Sequence, residues 1–198
     1  MRLLLTLVIV ACGPSPTPTP VSPPTPARYR GPIIDFHAHF AKPADVAVTT
    51  MPDTDLRTLD DQAGVTQSAL IVMAQKGDPA ATRRMNDELL AATTASGGRF
   101  FAVASVHPAD GKDALDELTR LAGLGVRVIK LHPNTQKLDV AAPEVAAVVA
   151  RAAELGLVLV FDGYSPFDAD QPGKFAILAI SHPTARIVLA HIGGPKFD

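Results

Sequence analysis

The sequence predicts an α/β fold: a parallel sheet of βα units wound toward a (β/α)8 barrel, with about six units present. Three observations carry this. Short, nearly continuous apolar runs alternate with helix-like runs from residue 33 onward, the pattern of a parallel sheet covered by helices. No Gly-rich phosphate loop follows the first apolar run, which argues against an open dinucleotide-binding sheet. Ionisable residues close several strands rather than gathering at one crossover, as expected where strand ends converge on a barrel mouth.

The elements follow in order. The first strand covers residues 33–37. A helix pattern over 55–63 stops at Gly64, and the second strand covers 68–73. Asp78 and Pro79 supply an N-cap and a first-turn proline for a helix that Gly97 and Gly98 terminate. The third strand covers 100–106. Leu115, Leu118, Leu121 and Ala122 mark the buried face of the next helix. The fourth strand covers 126–131, and Pro143 opens a helix that Gly156 closes. The fifth strand (157–161), a helix around 175–180 and the sixth strand (186–190) complete the series. A closed barrel needs eight strands and about 250 residues, and six strands would leave two open edges. The expectation is that the natural protein continues for two more units beyond Asp198. The other reading is a short sheet, closed by a partner chain.

Composition bounds the rest. A net charge of −2 gives no case for a nucleic-acid partner. The single cysteine excludes an internal disulfide and a multi-cysteine metal site. That cysteine, Cys12, follows a basic start and an apolar run too short to span a bilayer. Ile9-Val10-Ala11-Cys12 resembles a bacterial lipobox, so residues 1–12 read as a lipoprotein signal with Cys12 lipidated. Residues 13–28 are rich in Pro, Thr and Ser and form an extended linker. From Gly13 to Pro26, at about 3.1 Å per residue, it reaches roughly 40 Å from the membrane. The globular part is 29–198, placed at the bacterial cell envelope on a lipid anchor.

Strand parity then collects the polar residues. Alternation puts Ile33, Asp35, His37 and His39 on one face of the first strand. The same rule gives Phe101, Val103, Ser105 and His107 on the third, and Val128, Lys130 and His132 on the fourth. It gives Val158, Val160 and Asp162 on the fifth, and Ile187, Leu189 and His191 on the sixth. Two neighbouring imidazoles such as His37 and His39 can bind one metal ion through neutral nitrogens. Asp35 would orient a ligand or cap buried polar groups. His107 and His132, each followed by proline, stand at strand exits and are candidate substrate contacts, as is Tyr164.

The segments Ile34-Asp35-Phe36-His37-Ala38-His39, Val128-Ile129-Lys130-Leu131-His132-Pro133 and Val188-Leu189-Ala190-His191-Ile192-Gly193-Gly194 resemble the amidohydrolase superfamily. The branch they resemble is the amidohydrolase-related one that includes aminocarboxymuconate-semialdehyde decarboxylase. The resemblance covers 32–198 and implies a metal-dependent hydrolase barrel. It implies that His37 and His39 are metal ligands, that His191 polarises a metal-bound water, and that Lys130 stands where two-metal members carry a carboxylated lysine. Where the family carries a histidine ligand at the end of the fifth strand, this chain has Asp162, a carboxylate able to bind zinc or manganese. The family's last ligand, an aspartate on an eighth strand, lies beyond Asp198. The implied cofactor is a divalent ion, zinc first and manganese second. The expected activity is hydrolysis of an amide, ester or lactone bond in a small molecule. Non-oxidative decarboxylation of an unsaturated or aromatic acid is the second reading, and a non-catalytic binding shell the third.

Overall fold

Six apolar runs form six strands: β1 (Ile34–His39), β2 (Gln67–Ile71), β3 (Phe100–Ser105), β4 (Val128–Leu131), β5 (Val158–Asp162) and β6 (Arg186–Ala190). All pair in parallel, in chain order, in one sheet. In this computed structural model the described residues are 29–39, 53–163 and 167–191, and the side chains of 53–55 are not described. The chain divides into two compact units, residues 1–31 and 32–198, and the sheet belongs to the second. The expected signal, Cys12, the linker and Tyr164 lie outside the described residues.

Helices alternate with the strands: α1 (Asp53–Ala63), α2 (Pro79–Ala95), α3 (Lys112–Gly123), α4 (Pro133–Gln136), α5 (Pro143–Glu154) and α6 (Gln171–Ser181). The Asp78 carboxylate caps α2 by accepting the Ala81 N–H at 2.8 Å, and Pro79 opens that helix. The predicted barrel architecture is borne out as a curled, six-stranded portion of one. Unpredicted are α4 and a 3-10 turn over Pro108–Asp110, each starting at the proline of a His-Pro pair.

The sheet separates two cores. Its outer face, under the helices, carries Leu70, Val72, Ala104, Ile129, Leu131, Leu159 and Phe161 against Leu89, Leu118, Leu121 and Val149. Each such leucine removed from water contributes about 1.5–3 kcal/mol. The inner, concave face carries a smaller row: Ala69, Ile71, Val103, Val128 and Val160.

Two expectations of parity are corrected. On β6 the register pairs Val188 with Val160 and Ala190 with Asp162. Val188 and Ala190 therefore share the inner row, while Ile187 and Leu189 pack on the helix-side core. On β1 an extra residue lies between Asp35 and Ala38 relative to β2. Asp35 stands opposite Ser68, whose hydroxyl donates to Asp60 of α1 at 2.7 Å, whereas His39 stands opposite Ile71 of the inner row. A bulge of this kind reverses parity along a strand, so Asp35 and His39 do not share a face. Asp35 Oδ1 accepts the His37 N–H at 2.9 Å within the irregular stretch.

Candidate metal centre

The ends of β1, β4, β5 and β6 bring five side chains into one group. The His37 and His39 rings lie 5.2 Å apart between centroids, and His37 lies 5.0 Å from the His191 ring. His191 Nε2 is 3.1 Å from Asp162 Oδ2, and His132 Nε2 is 3.2 Å from the same oxygen. His191 arrives by a route that alternation does not supply. It follows β6 directly with a φ of 60°, in the left-handed region, which turns it from the path of Ile187 and Leu189 toward the mouth. Lys130 of β4 sits two residues before His132, between Ser105 and Val160 in register, and is 0% exposed.

Burial holds His37, His39 and His132 below the usual imidazole range. His37 is pushed down to about 4, first by burial and then by Lys130, His39 and His191, against an opposing pull from Asp162. His39 is lowered by burial and then by Lys130. His132 is lowered by burial, which outweighs the Asp162 carboxylate beside it. The His132–Asp162 contact is therefore a hydrogen bond from a neutral ring, not an ion pair. Burial also lowers Lys130, against Asp162, and its Nζ has no hydrogen-bond partner. An unpartnered buried cation is costly to maintain, and such perturbed groups cluster where chemistry is done.

The two His-Pro pairs have separate fates. His107 is 3% exposed, its Nδ1 accepts the Ala109 N–H at 3.2 Å, and its Nε2 donates to the Gln136 carbonyl at 2.8 Å. Both ring nitrogens are taken, so His107 is a buried cap and leaves the set of candidate substrate contacts. His132 caps α4 in the same way, Nδ1 accepting from Thr135 N–H at 3.4 Å, but its Nε2 points to Asp162. A residue that the sequence reading missed supports it: Gln136, whose Oε1 accepts the His132 N–H at 2.8 Å. The signal was present as His132-Pro133 followed by a glutamine within one turn, a variant of the capping box.

The donor set fits a divalent ion. His37 and His39 offer neutral nitrogens and Asp162 a carboxylate, the ligand types of zinc sites and acceptable to manganese. Among the described residues, no group of three or more His, Cys, Asp and Glu is arranged to hold an ion. In the present geometry Asp162 Oδ2 is engaged by two imidazoles, so side chains must reorient to complete coordination.

The family model described as amidohydrolase matches residues 34–197. No curated protein matches the chain. Among solved structures, 5-carboxyvanillate decarboxylase from Sphingomonas paucimobilis is similar with a TM-score of 0.66 at 18% identity, over 82% of this chain and 68% of that one. A dihydroxybenzoic acid decarboxylase from Polaromonas sp. JS666, with bound manganese and the inhibitor 2-nitroresorcinol, gives 0.62 at 16%, over 83% and 66%. A Pseudomonas putida protein assigned as a 2-pyrone-4,6-dicarboxylic acid hydrolase gives 0.56 at 22%, over 83% and 62%. At these identities the likeness is one of fold.

Proposed function

The chain belongs to the amidohydrolase family, and on that premise we propose that it is a metal-dependent enzyme that hydrolyses an amide, ester or lactone bond of a small molecule. The observation that carries this is the gathering of His37, His39, His191 and Asp162 at the carboxyl ends of β1, β5 and β6. Active sites of barrels of this kind lie at that end. His37, His39 and Asp162 are the proposed ligands, with zinc as the first candidate and manganese the second. The bound ion would supply a water acidified to a pKa of about 7 and would polarise the substrate carbonyl.

The chain's own residues supply the rest. With His191 Nε2–H donating to Asp162 Oδ2, the free Nδ1 would take the proton and return it to the leaving group, while Asp162 would stabilise the imidazolium. Lys130 offers a desolvated positive charge on the inner face for a negative group of the substrate. His132 Nε2 holds the same Asp162 oxygen. The test is metal retention by the full chain loaded with zinc or manganese and then dialysed. Stoichiometric retention that is lost in His37→Ala is expected. A wild-type chain that keeps no metal overturns the reading.

A second reading is non-oxidative decarboxylation. Lys130 favours it, because an unpartnered buried ammonium suits a substrate carboxylate, and the fold likeness to two decarboxylases agrees. Release of carbon dioxide, against release of a new carboxylate or amine, separates the two. Turnover of neither kind, with ligand binding intact in His37→Ala, would favour a binding shell. We also propose Cys12 as the lipid attachment site; Cys12→Ser would then free the protein from membranes.

A further inference from the structure

Gln136 is 4% exposed, and all of its polar groups are engaged. Its amide nitrogen donates to the carbonyls of Ala74 and Val106, each at 3.0 Å, and its amide oxygen accepts the His132 N–H at 2.8 Å. Its peptide N–H donates to the His132 carbonyl at 2.9 Å, and its own carbonyl accepts from His107. One side chain thus ties together the exits of β2, β3 and β4, three strand ends at the mouth. An amide does this where a carboxylate could not, because two of the partners are carbonyl oxygens and need donors.

We infer that Gln136 is a positioning residue: by anchoring His132 it sets the direction from which Asp162 is held in the proposed metal centre. The link runs through the His132 tautomer. Gln136 fixes the His132 peptide, and the ring Nδ1 then accepts the Thr135 N–H, which leaves Nε2–H to donate to Asp162 Oδ2. A ring nitrogen's role is set by the bond its partner nitrogen makes, and hydrogen bonds to a ligating carboxylate orient it toward the ion. Without the amide the His132 N–H loses its buried acceptor, the cap opens, and Asp162 loses one of its two imidazole contacts. The inference rests on the proposed metal site for its consequence, but not for the tautomer.

The experiment uses the full chain labelled with 15N-histidine, with ring nitrogens read by NMR and manganese binding read by titration of free Mn2+. The wild type is expected to show His132 as the Nε2–H tautomer. Gln136→Met is expected to mix the tautomers at His132, leave His107 unchanged, and weaken Mn2+ binding roughly 10–100-fold. A Gln136→Met protein that keeps the wild-type His132 tautomer and Mn2+ affinity, with only a lower melting temperature, overturns the inference. So does a wild-type His132 found as the Nδ1–H tautomer, which needs no variant to fold. If the wild type takes up no Mn2+, the metal reading falls, and the tautomer comparison still decides whether Gln136 positions His132.

Discussion

Replacing Lys130 with methionine should make the protein more stable and inactive. Lys130 is fully buried, its Nζ has no hydrogen-bond partner, and burial lowers its pKa. A buried polar group without a partner costs about 1–3 kcal/mol, and a charged one more. Methionine is flexible enough to follow the lysine stem between Ser105 and Val160 without leaving a cavity. The expected gain is about 1–3 kcal/mol. For a chain of this length each kcal/mol moves the melting temperature by about 2–4 °C, so a rise of roughly 5 °C lies mid-range. Urea and thermal melts of the metal-free chain measure it. The pH dependence gives a second readout. The unfolded lysine keeps its proton up to about 10.5, and the folded one loses it at a lower pH. Between those values the unfolded state binds more protons, so wild-type stability rises with pH and is fully restored above 10.5. Lys130→Met lacks that rise, and the gap between the two proteins should close toward pH 10.5. Turnover should be lost, because the cation is gone. A variant less stable than wild type by more than about 1 kcal/mol, or a gap that does not change with pH, would refute the reasoning and mean that the ammonium is paired or modified in the working protein.

The remaining predictions use the same molecule. His37 has a folded-state pKa lowered to about 4 from 6.5, so its contribution to stability is complete above 6.5 and is lost as pH falls toward 4. Melts of the metal-free chain from pH 4 to 8 should show that loss, weakened in His37→Gln, and bound metal should be released over the same window as protons compete for the imidazoles. His107→Ala removes two buried hydrogen bonds and should cost about 2–4 kcal/mol in urea while leaving KM unchanged; a rise in KM at wild-type stability would restore it as a substrate contact. Asn86 bonds both main-chain groups of Ser105 and the Glu117 carboxylate. Asn86→Leu should therefore destabilise by about 2–4 kcal/mol without lowering metal retention in the folded fraction.

How much of this was legible in the sequence differs by level. The strands were legible because each is an apolar run bounded by glycine or proline; β6 falls at 186–190 as expected, and the others differ by a residue or two at their ends. The gathering of His37, His39, Asp162 and His191 follows from placing ionisable residues at strand ends, and needs no exact geometry. Parity failed where the backbone departs from a regular strand. The extra residue on β1 moved Asp35 off the face of His39. The one-residue register of β6 against β5 sent Ile187 and Leu189 to the helix side. Neither a bulge nor a pairing register is written in the alternation of a single strand, because both depend on the neighbour. The fate of His107 was hidden for a related reason: its acceptor, the Gln136 carbonyl, lies at the end of a four-residue helix too short to show periodicity.

These departures have a common consequence for the site. A regular β1 could not place both Phe36 against Phe101 and His39 opposite Ile71 on the inner face, since they are three positions apart, an odd step. The bulge permits both, and the Asp35 carboxylate satisfies a backbone donor within it. A regular extension of β6 would carry His191 outward with Leu189; the left-handed turn at His191 reverses it, at a backbone cost of roughly 1–3 kcal/mol for a non-glycine residue. The packed helix-side core can bear that cost, because its leucines and valines are buried independently of the mouth. The inner face carries only a short apolar row and is topped by desolvated imidazoles, the Asp162 carboxylate that two rings share and an unpartnered lysine. Stability thus resides in the outer layer, and the strained and desolvated groups are concentrated at the strand ends. A bound ion that took the lone pairs of His37 and His39 would add to stability there without any rearrangement of the core.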